Sequence, residues 1–170
     1  MNQHTNIFLV GFMGSGKSTL GKKLANQLGY SFIDLDQEIE LHLGMSIIEL
    51  FETRGEDYFR EVETQTLKNK LATTTNYVMA LGVGTPWFYN NMNMINEKGV
   101  SVYLKYNVGI LTSRLLHAKT KRPLIANKTK EELELYIQHL LNKRERFYLK
   151  SKLVVEGNNI TAQQITNLLL

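Results

Sequence analysis

The sequence has no cysteine, only 2 prolines and no long apolar run. Without cysteine there is no disulfide framework, no thiolate metal site and no thiol nucleophile, and a reducing cytoplasm is the expected setting. So little proline, with 43% apolar and 21% charged residues, excludes collagen-like, proline-rich and charge-dominated disordered chains. The longest apolar candidates, Ile7 to Val10 and Leu168 to Leu170, fall far short of the roughly 18 residues a membrane span needs. The stretch from Met1 to Asn6 lacks the basic and apolar regions of a secretory leader, so no signal peptide is expected. Neither charge sign dominates: 20 basic against 16 acidic side chains leaves +4, too little for a nucleic-acid-binding surface. The basic residues gather between Lys119 and Lys130 and between Lys143 and Lys152. That reads either as a solvated face or as a region that meets a polyanion such as a nucleotide.

What is present is the alternation of an α/β protein. The 170 residues suit one domain spanning 1–170. Short apolar runs, Ile7 to Val10, Phe32-Ile33, Tyr77 to Leu81, Val100 to Leu104 and Leu153 to Val155, show no in/out alternation. Five such runs suit a parallel sheet covered on both faces. Helix-period segments lie between them: Leu20, Leu24, Ala25 and Leu28 form one stripe, and Phe59, Val62, Thr66 and Leu67 another. Ser46 with Glu49 and Thr129 with Glu132 read as capping boxes, and Thr161 as the cap of a last helix.

The sharpest motif follows the first run. Gly11-Phe12-Met13-Gly14-Ser15-Gly16-Lys17-Ser18 is a P-loop. Its glycines allow tight turns and close approach of N–H groups to phosphate, and the next helix begins where an anion is favoured. Lys17 reaches the β- and γ-phosphates, and the Ser18 hydroxyl is a ligand for Mg²⁺. The expected ATP contacts are Gly11, Met13, Gly14, Ser15, Gly16, Lys17, Ser18 and Thr19. Asp34-Leu35-Asp36 ends the second run. Strand alternation sends both carboxylates to one side, one toward a Mg²⁺ water and one toward an acceptor hydroxyl. Arg60 lies among acids, either as an i,i+3 salt bridge with Glu63 or Asp57, or as a guanidinium fork for a substrate carboxylate. Trp87, Phe88 and Tyr89 read as helix-start core packing. His4, His42, His117 and His139 show no metal-ligand spacing.

Taken in order, Gly11 to Ser18, Asp34-x-Asp36, Gly55-Glu56 with Phe59-Arg60 and Glu63, Gly82-x-Gly84, Arg122-Pro123-Leu124 and Arg144-x-x-x-Tyr148 resemble the shikimate kinases over essentially the whole chain. The resemblance implies a three-layer P-loop kinase with a five-stranded parallel sheet of order 2-3-1-4-5. It implies transfer of the ATP γ-phosphoryl group to the 3-hydroxyl of shikimate, in the route to chorismate and aromatic amino acids. Asp36 resembles the residue that contacts the acceptor hydroxyls and acts as base, with Lys17 and Arg122 as its catalytic companions. Asp34 resembles the carboxylate that positions Mg²⁺ through water. Arg60 and Arg144 resemble the pair that grips the shikimate carboxylate, and Gly82, Val83 and Gly84 the loop under the substrate. Ile47, Phe51 and Phe59 resemble apolar walls of the acceptor pocket. Arg114 resembles the arginine beside adenine, and Arg122 the arginine of a lid over 116–128. The substrate-binding helices would cover 37–72.

Two departures stand out. The family loop reads Gly-Gly-Gly, whereas this chain has Gly82-Val83-Gly84. If the middle position needs positive φ, valine there costs about 1–3 kcal/mol and slows turnover. The segment from Val155 to Ile160 lacks the basic residue often found against adenine, leaving Asn158 or Asn159 to meet the base. Other readings are a kinase for gluconate or a nucleoside monophosphate, and an ATP-binding module weakened by Val83. The expected partners are ATP and shikimate, with no nucleic acid and no membrane, and the expected state is a monomer.

Overall fold

β1 (Asn6–Val10) is buried at every position, because it has a strand on either side and helices on both faces. The computed structural model describes residues 5–73, 75–119 and 122–169. In it β2 (Ser31–Asp34), β3 (Tyr77–Ala80), β4 (Gly99–Lys105) and β5 (Leu153–Glu156) join β1 in one sheet of order β2-β3-β1-β4-β5. Every pairing is parallel, with Leu9 opposite Ala80 and Ile33 opposite Met79. The order is the one the resemblance implies. Phe8, Leu9, Val78, Met79 and Val102 have no exposed surface, which explains the unalternated apolar runs.

Among the described residues seven α-helices supply the cover: α1 (Lys17–Leu28), α2 (Leu35–Leu43), α3 (Ile47–Thr73), α4 (Asn91–Lys98), α5 (Val108–Leu116), α6 (Lys130–Tyr148) and α7 (Ala162–Leu169). Both capping boxes form. Ser46 Oγ accepts the Glu49 N–H at 3.2 Å while Glu49 accepts the Ser46 N–H at 2.8 Å, and Thr129 and Glu132 reciprocate in the same way. Thr161 Oγ1 accepts the Gln164 N–H at 3.2 Å. α3 is broken at Gly55, where φ is 82° and ψ 173°. Its second part buries Phe59 and Leu67 as the stripe predicts, but also Arg60, Glu63 and Thr64. Thr66 stays half-buried. A polar face therefore turns inward where an apolar one was expected. No helix among the described residues is long and apolar enough to cross a membrane.

Because β2, β3 and β1 are neighbours, the segments leaving their carboxyl ends lie side by side: the P-loop after β1, Asp34 at the end of β2, and Leu81 to Gly84 after β3. Open parallel sheets bind ligands beyond these ends.

Candidate active site

The P-loop is held by its own side chains. Ser15 Oγ donates to the Phe12 carbonyl at 2.7 Å, and Met13 is buried in the core. Both side chains therefore face the protein, and neither residue lines the cleft that opens on the loop. Gly14 and Gly16 have φ of 82° and 81°, a conformation that side-chain-bearing residues rarely adopt. Gly16 is the N-cap of α1, and no side chain caps the helix start, which leaves N–H groups there for an anion. Lys17 Nζ folds back to donate to the carbonyls of Gly11 at 2.6 Å and Phe12 at 3.2 Å. Burial lowers its pKa to about 8, with Asp36 pulling it up and Arg122 pushing it down.

A cleft of about 560 Å³ opens on this loop, within the usual size of a small-molecule site. Gly14, Gly16, Lys17, Ser18, Thr19, Asp34, Asp36, Val83, Arg114 and Arg122 all line it. Ser18 Oγ donates to Asp34 Oδ2 at 2.6 Å. The Arg114 guanidinium lies 4.2 Å from the Tyr106 ring centroid. Asn158 and Asn159 are exposed in the bend after β5 and are not among the lining residues. Of the expected lid, Ala118, Lys119 and Arg122 line the cleft, while Thr120 and Lys121 lie outside the described residues.

Strand alternation does not arrange Asp34 and Asp36. β2 stops at Asp34, which caps α2 by accepting the Gln37 N–H at 3.3 Å, and Asp36 lies in the first helical turn. Both still reach the cleft, through the turn from strand into helix. Burial raises the Asp36 pKa to about 6, with the charges of Glu63 and Asp34 adding to the effect and Lys17 opposing it.

Asp36 meets a second group of residues at Gly82. A Cβ built there would stand 3.0 Å from Asp36 Oδ1 and 2.9 Å from Glu63 Oε2, and one at Gly84 2.5 Å from Arg60 Nη2. These two glycines make room for side chains. Val83 needs no such room: among the described non-glycine residues only Asn76 and Tyr89 have positive φ. The expected backbone strain at Val83 is therefore absent. Its carbonyl accepts the Tyr148 hydroxyl at 2.7 Å, and the residue lines the cleft. Val83→Gly is accordingly expected to change kcat by less than about twofold and to cost about 0.4–1 kcal/mol through the more flexible unfolded chain. Steady-state turnover and thermal melts check this, and a tenfold gain in rate would reinstate the strain.

Arg60 makes the expected i,i+3 ion pair with Glu63 at 2.9 Å and a second with Glu56 at 3.3 Å. Its guanidinium lies 4.1 Å from the Phe88 ring centroid. Arg144, on α6, lies 5.8 Å from Trp87 and 6.0 Å from Phe12, and makes no ion pair among the described residues. Trp87 and Phe88 stand 5.6 Å apart, so the two arginines share one aromatic wall. Trp87 and Phe88 are half-buried and Tyr89 is exposed, so this trio is not core as the sequence suggested. The signal for the wall was two aromatics just after a glycine loop. Phe59 belongs to the core, its ring 4.7 Å from Phe51. Ile47 and Phe51 are half-buried against that core.

A glycine-rich anion nest on a parallel sheet, with a lysine at the helix start and a second, arginine-bearing side, defines a P-loop kinase of small molecules. More narrowly, the chain belongs to the shikimate kinase family, whose family model matches residues 13–170. A shikimate kinase from Phocaeicola vulgatus is 43% identical over 156 residues, 92% of this chain and 89% of that one. One from Chlorobaculum tepidum is 46% identical over 160 residues, 91% and 83% of the two chains. The crystal structure of shikimate kinase from Bacteroides thetaiotaomicron superposes with a TM-score of 0.93 at 37% identity, covering 98% of each chain. The Acinetobacter baumannii enzyme, solved in complex with shikimate, superposes at 0.85 with 35% identity, covering 97% of this chain and 92% of that one.

Proposed function

We propose that this chain transfers the γ-phosphoryl group of ATP to the 3-hydroxyl of shikimate, giving shikimate 3-phosphate and ADP on the route to chorismate. The observation that carries the reading is the pair of arginines on one aromatic wall beside a half-buried Asp36 that shares the cleft with Lys17. A compact hydroxy-acid needs a planar bidentate grip on its carboxylate, which guanidinium supplies and ammonium does not. It also needs a carboxylate at its hydroxyl, next to the phosphate nest. A nucleoside monophosphate would need a base-binding slot instead.

In the proposed mechanism Arg60 and Arg144 hold the carboxylate, and Asp36 aligns the hydroxyl and takes its proton. Positioning of this kind is most of what phosphoryl transfer requires of a protein. Lys17 leaves its two carbonyls for the β- and γ-phosphates, and Arg122 closes on the phosphates as charge spreads over the transferring group. Arg114 flanks the nucleotide base, with Tyr106 behind it. No group of three or more acidic or imidazole side chains able to hold a metal occurs among the described residues. The Ser18–Asp34 pair offers two hard oxygens at the nest, which suits Mg²⁺ because that ion keeps most of its waters and takes phosphate oxygens as ligands. Ser18 would bind it directly and Asp34 through water, and the ion supplies charge neutralisation on the phosphates. A monomer in the cytoplasm, with a lid over 116–128 and substrate-binding helices over 37–72, completes the proposal.

The test is ADP release from the purified chain with shikimate, gluconate and AMP in parallel. Turnover with shikimate alone is expected, and turnover only with another acceptor sinks the reading. The rate also has a defined pH dependence. Asp36 works deprotonated and Lys17 protonated, so activity falls as pH drops through about 6 and as it rises through about 8. With both substrates far below saturation the profile reports the free enzyme. A rate that stays flat down to about pH 5 removes Asp36 as the base.

A further inference from the structure

Behind Arg60 lies a closed ring of buried polar groups that the reaction itself does not use. Glu63 has no exposed surface, so both of its oxygens need partners inside the protein. Oε1 accepts from Arg60 Nη1 at 2.9 Å, and Oε2 accepts from Thr85 Oγ1 at 2.7 Å. Thr85 is itself fully buried. Its carbonyl accepts from Asn91 Nδ2 at 3.0 Å, and Asn91 Oδ1 accepts from Thr64 Oγ1 at 3.1 Å. Thr64 is the neighbour of Glu63 on α3, so the ring returns to its start. It fastens the glycine loop and the first turn of α4 to the helix that carries Arg60.

We propose that Thr85 is a positioning residue for the acid-binding end of the site: its hydroxyl, oriented through Asn91 and Thr64, holds the Glu63 carboxylate so that Arg60 is presented to the substrate. This rests on the reading of Arg60 as a carboxylate ligand. Without the hydroxyl, Oε2 faces the space at Gly82 and the Asp36 carboxylate with no donor. Glu63 then turns away or takes up a proton, and either change slackens its hold on Arg60. Burial already biases Glu63 toward the protonated form, with Arg60 and the Thr85 hydrogen bond opposing it. A ring that served only to glue α3 to α4 would affect stability and both substrates alike.

The experiment is steady-state kinetics on the full chain with Thr85→Val, Thr85→Ser and, as a control, Arg60→Met. Thr85→Val keeps the shape and removes the donor. It is expected to raise KM for shikimate about tenfold, the scale of a hydrogen bond to a charged group. KM for ATP and kcat should stay within about twofold, a pattern that marks lost acceptor binding. Thr85→Ser should restore the KM for shikimate. In a Glu63→Gln background Thr85→Val should add little, because its effect passes through Glu63. An unchanged KM for shikimate in Thr85→Val, or an equal rise in both KM values, overturns the proposal. If Thr85→Val does not fold, Thr64→Val loosens the far side of the ring and must raise the same KM; no rise overturns the proposal equally. If Arg60→Met binds shikimate normally, the reading of Arg60 fails and takes the proposal with it. Loss in Arg60→Met with no effect from Thr85→Val sinks the proposal alone.

Discussion

Asp36→Asn should yield a protein that melts at a higher temperature and turns over about 10³-fold more slowly. The rate loss follows from the proposed role of Asp36 as base: asparagine keeps the shape and a hydrogen bond to the hydroxyl but cannot take its proton, and general-base contributions run to about 10²–10⁴. The stability gain follows from the same burial. In the unfolded chain the group titrates near 3.8, in the folded protein near 6. A raised folded value means that the protonated group fits the site and the ionised one strains it. Its stabilising contribution is complete below the unfolded value and is lost as pH rises through about 6. At neutral pH the ionised carboxylate therefore costs up to about 3 kcal/mol, at about 1.4 kcal/mol per unit. Asparagine removes that cost, which corresponds to several degrees in Tm for a chain of this size. Melts at neutral pH should show the gain, and melts near pH 4 should show it shrinking as the native Asp36 protonates. A lower Tm at neutral pH, or turnover within tenfold of the native rate, contradicts the assignment.

Arg60→Met should lose shikimate binding by at least about 10²-fold and about 3–5 kcal/mol of stability. Arg60 is 8% exposed and its partner Glu63 is 0% exposed. Removing one member of a buried ion pair leaves the other charged and unpaired, which is where penalties of this size arise. Adding Glu63→Gln removes the stranded charge, so the double variant should recover most of the lost stability. It should not recover the acid, because methionine offers no donors. Chemical denaturation together with titration of shikimate separates the two effects. If the second substitution rescued binding as well, Arg60 would be serving the fold alone.

Local signals made much of this legible. The P-loop is eight consecutive residues whose chemistry is set by their own order, and the capping boxes are three-residue spacings. The parallel sheet showed itself because strands covered on both faces cannot alternate. Longer-range placement was harder to read. The two-residue spacing of Asp34 and Asp36 suggests a strand, because alternation is the simplest rule for it. The first carboxylate in fact ends the strand and caps the next helix. The buried polar face of Arg60, Glu63 and Thr64 runs against the apolar stripe that marks an inward helix face, and its partners Thr85 and Asn91 lie more than 20 residues on. The aromatic wall reads as core in the sequence because core and cation-bearing surface use the same residues. At Val83 the sequence pointed to the right position and the wrong cost, since the neighbouring glycines are there for space.

Lys17 is turned onto the carbonyls of Gly11 and Phe12, and this bears on how the loop takes an anion. An incoming anion must outcompete two dipoles already satisfied by that ammonium. A polyphosphate chain can offer oxygens to the helix start and to the lysine at once, so it has more to set against those two bonds than a single oxyanion has.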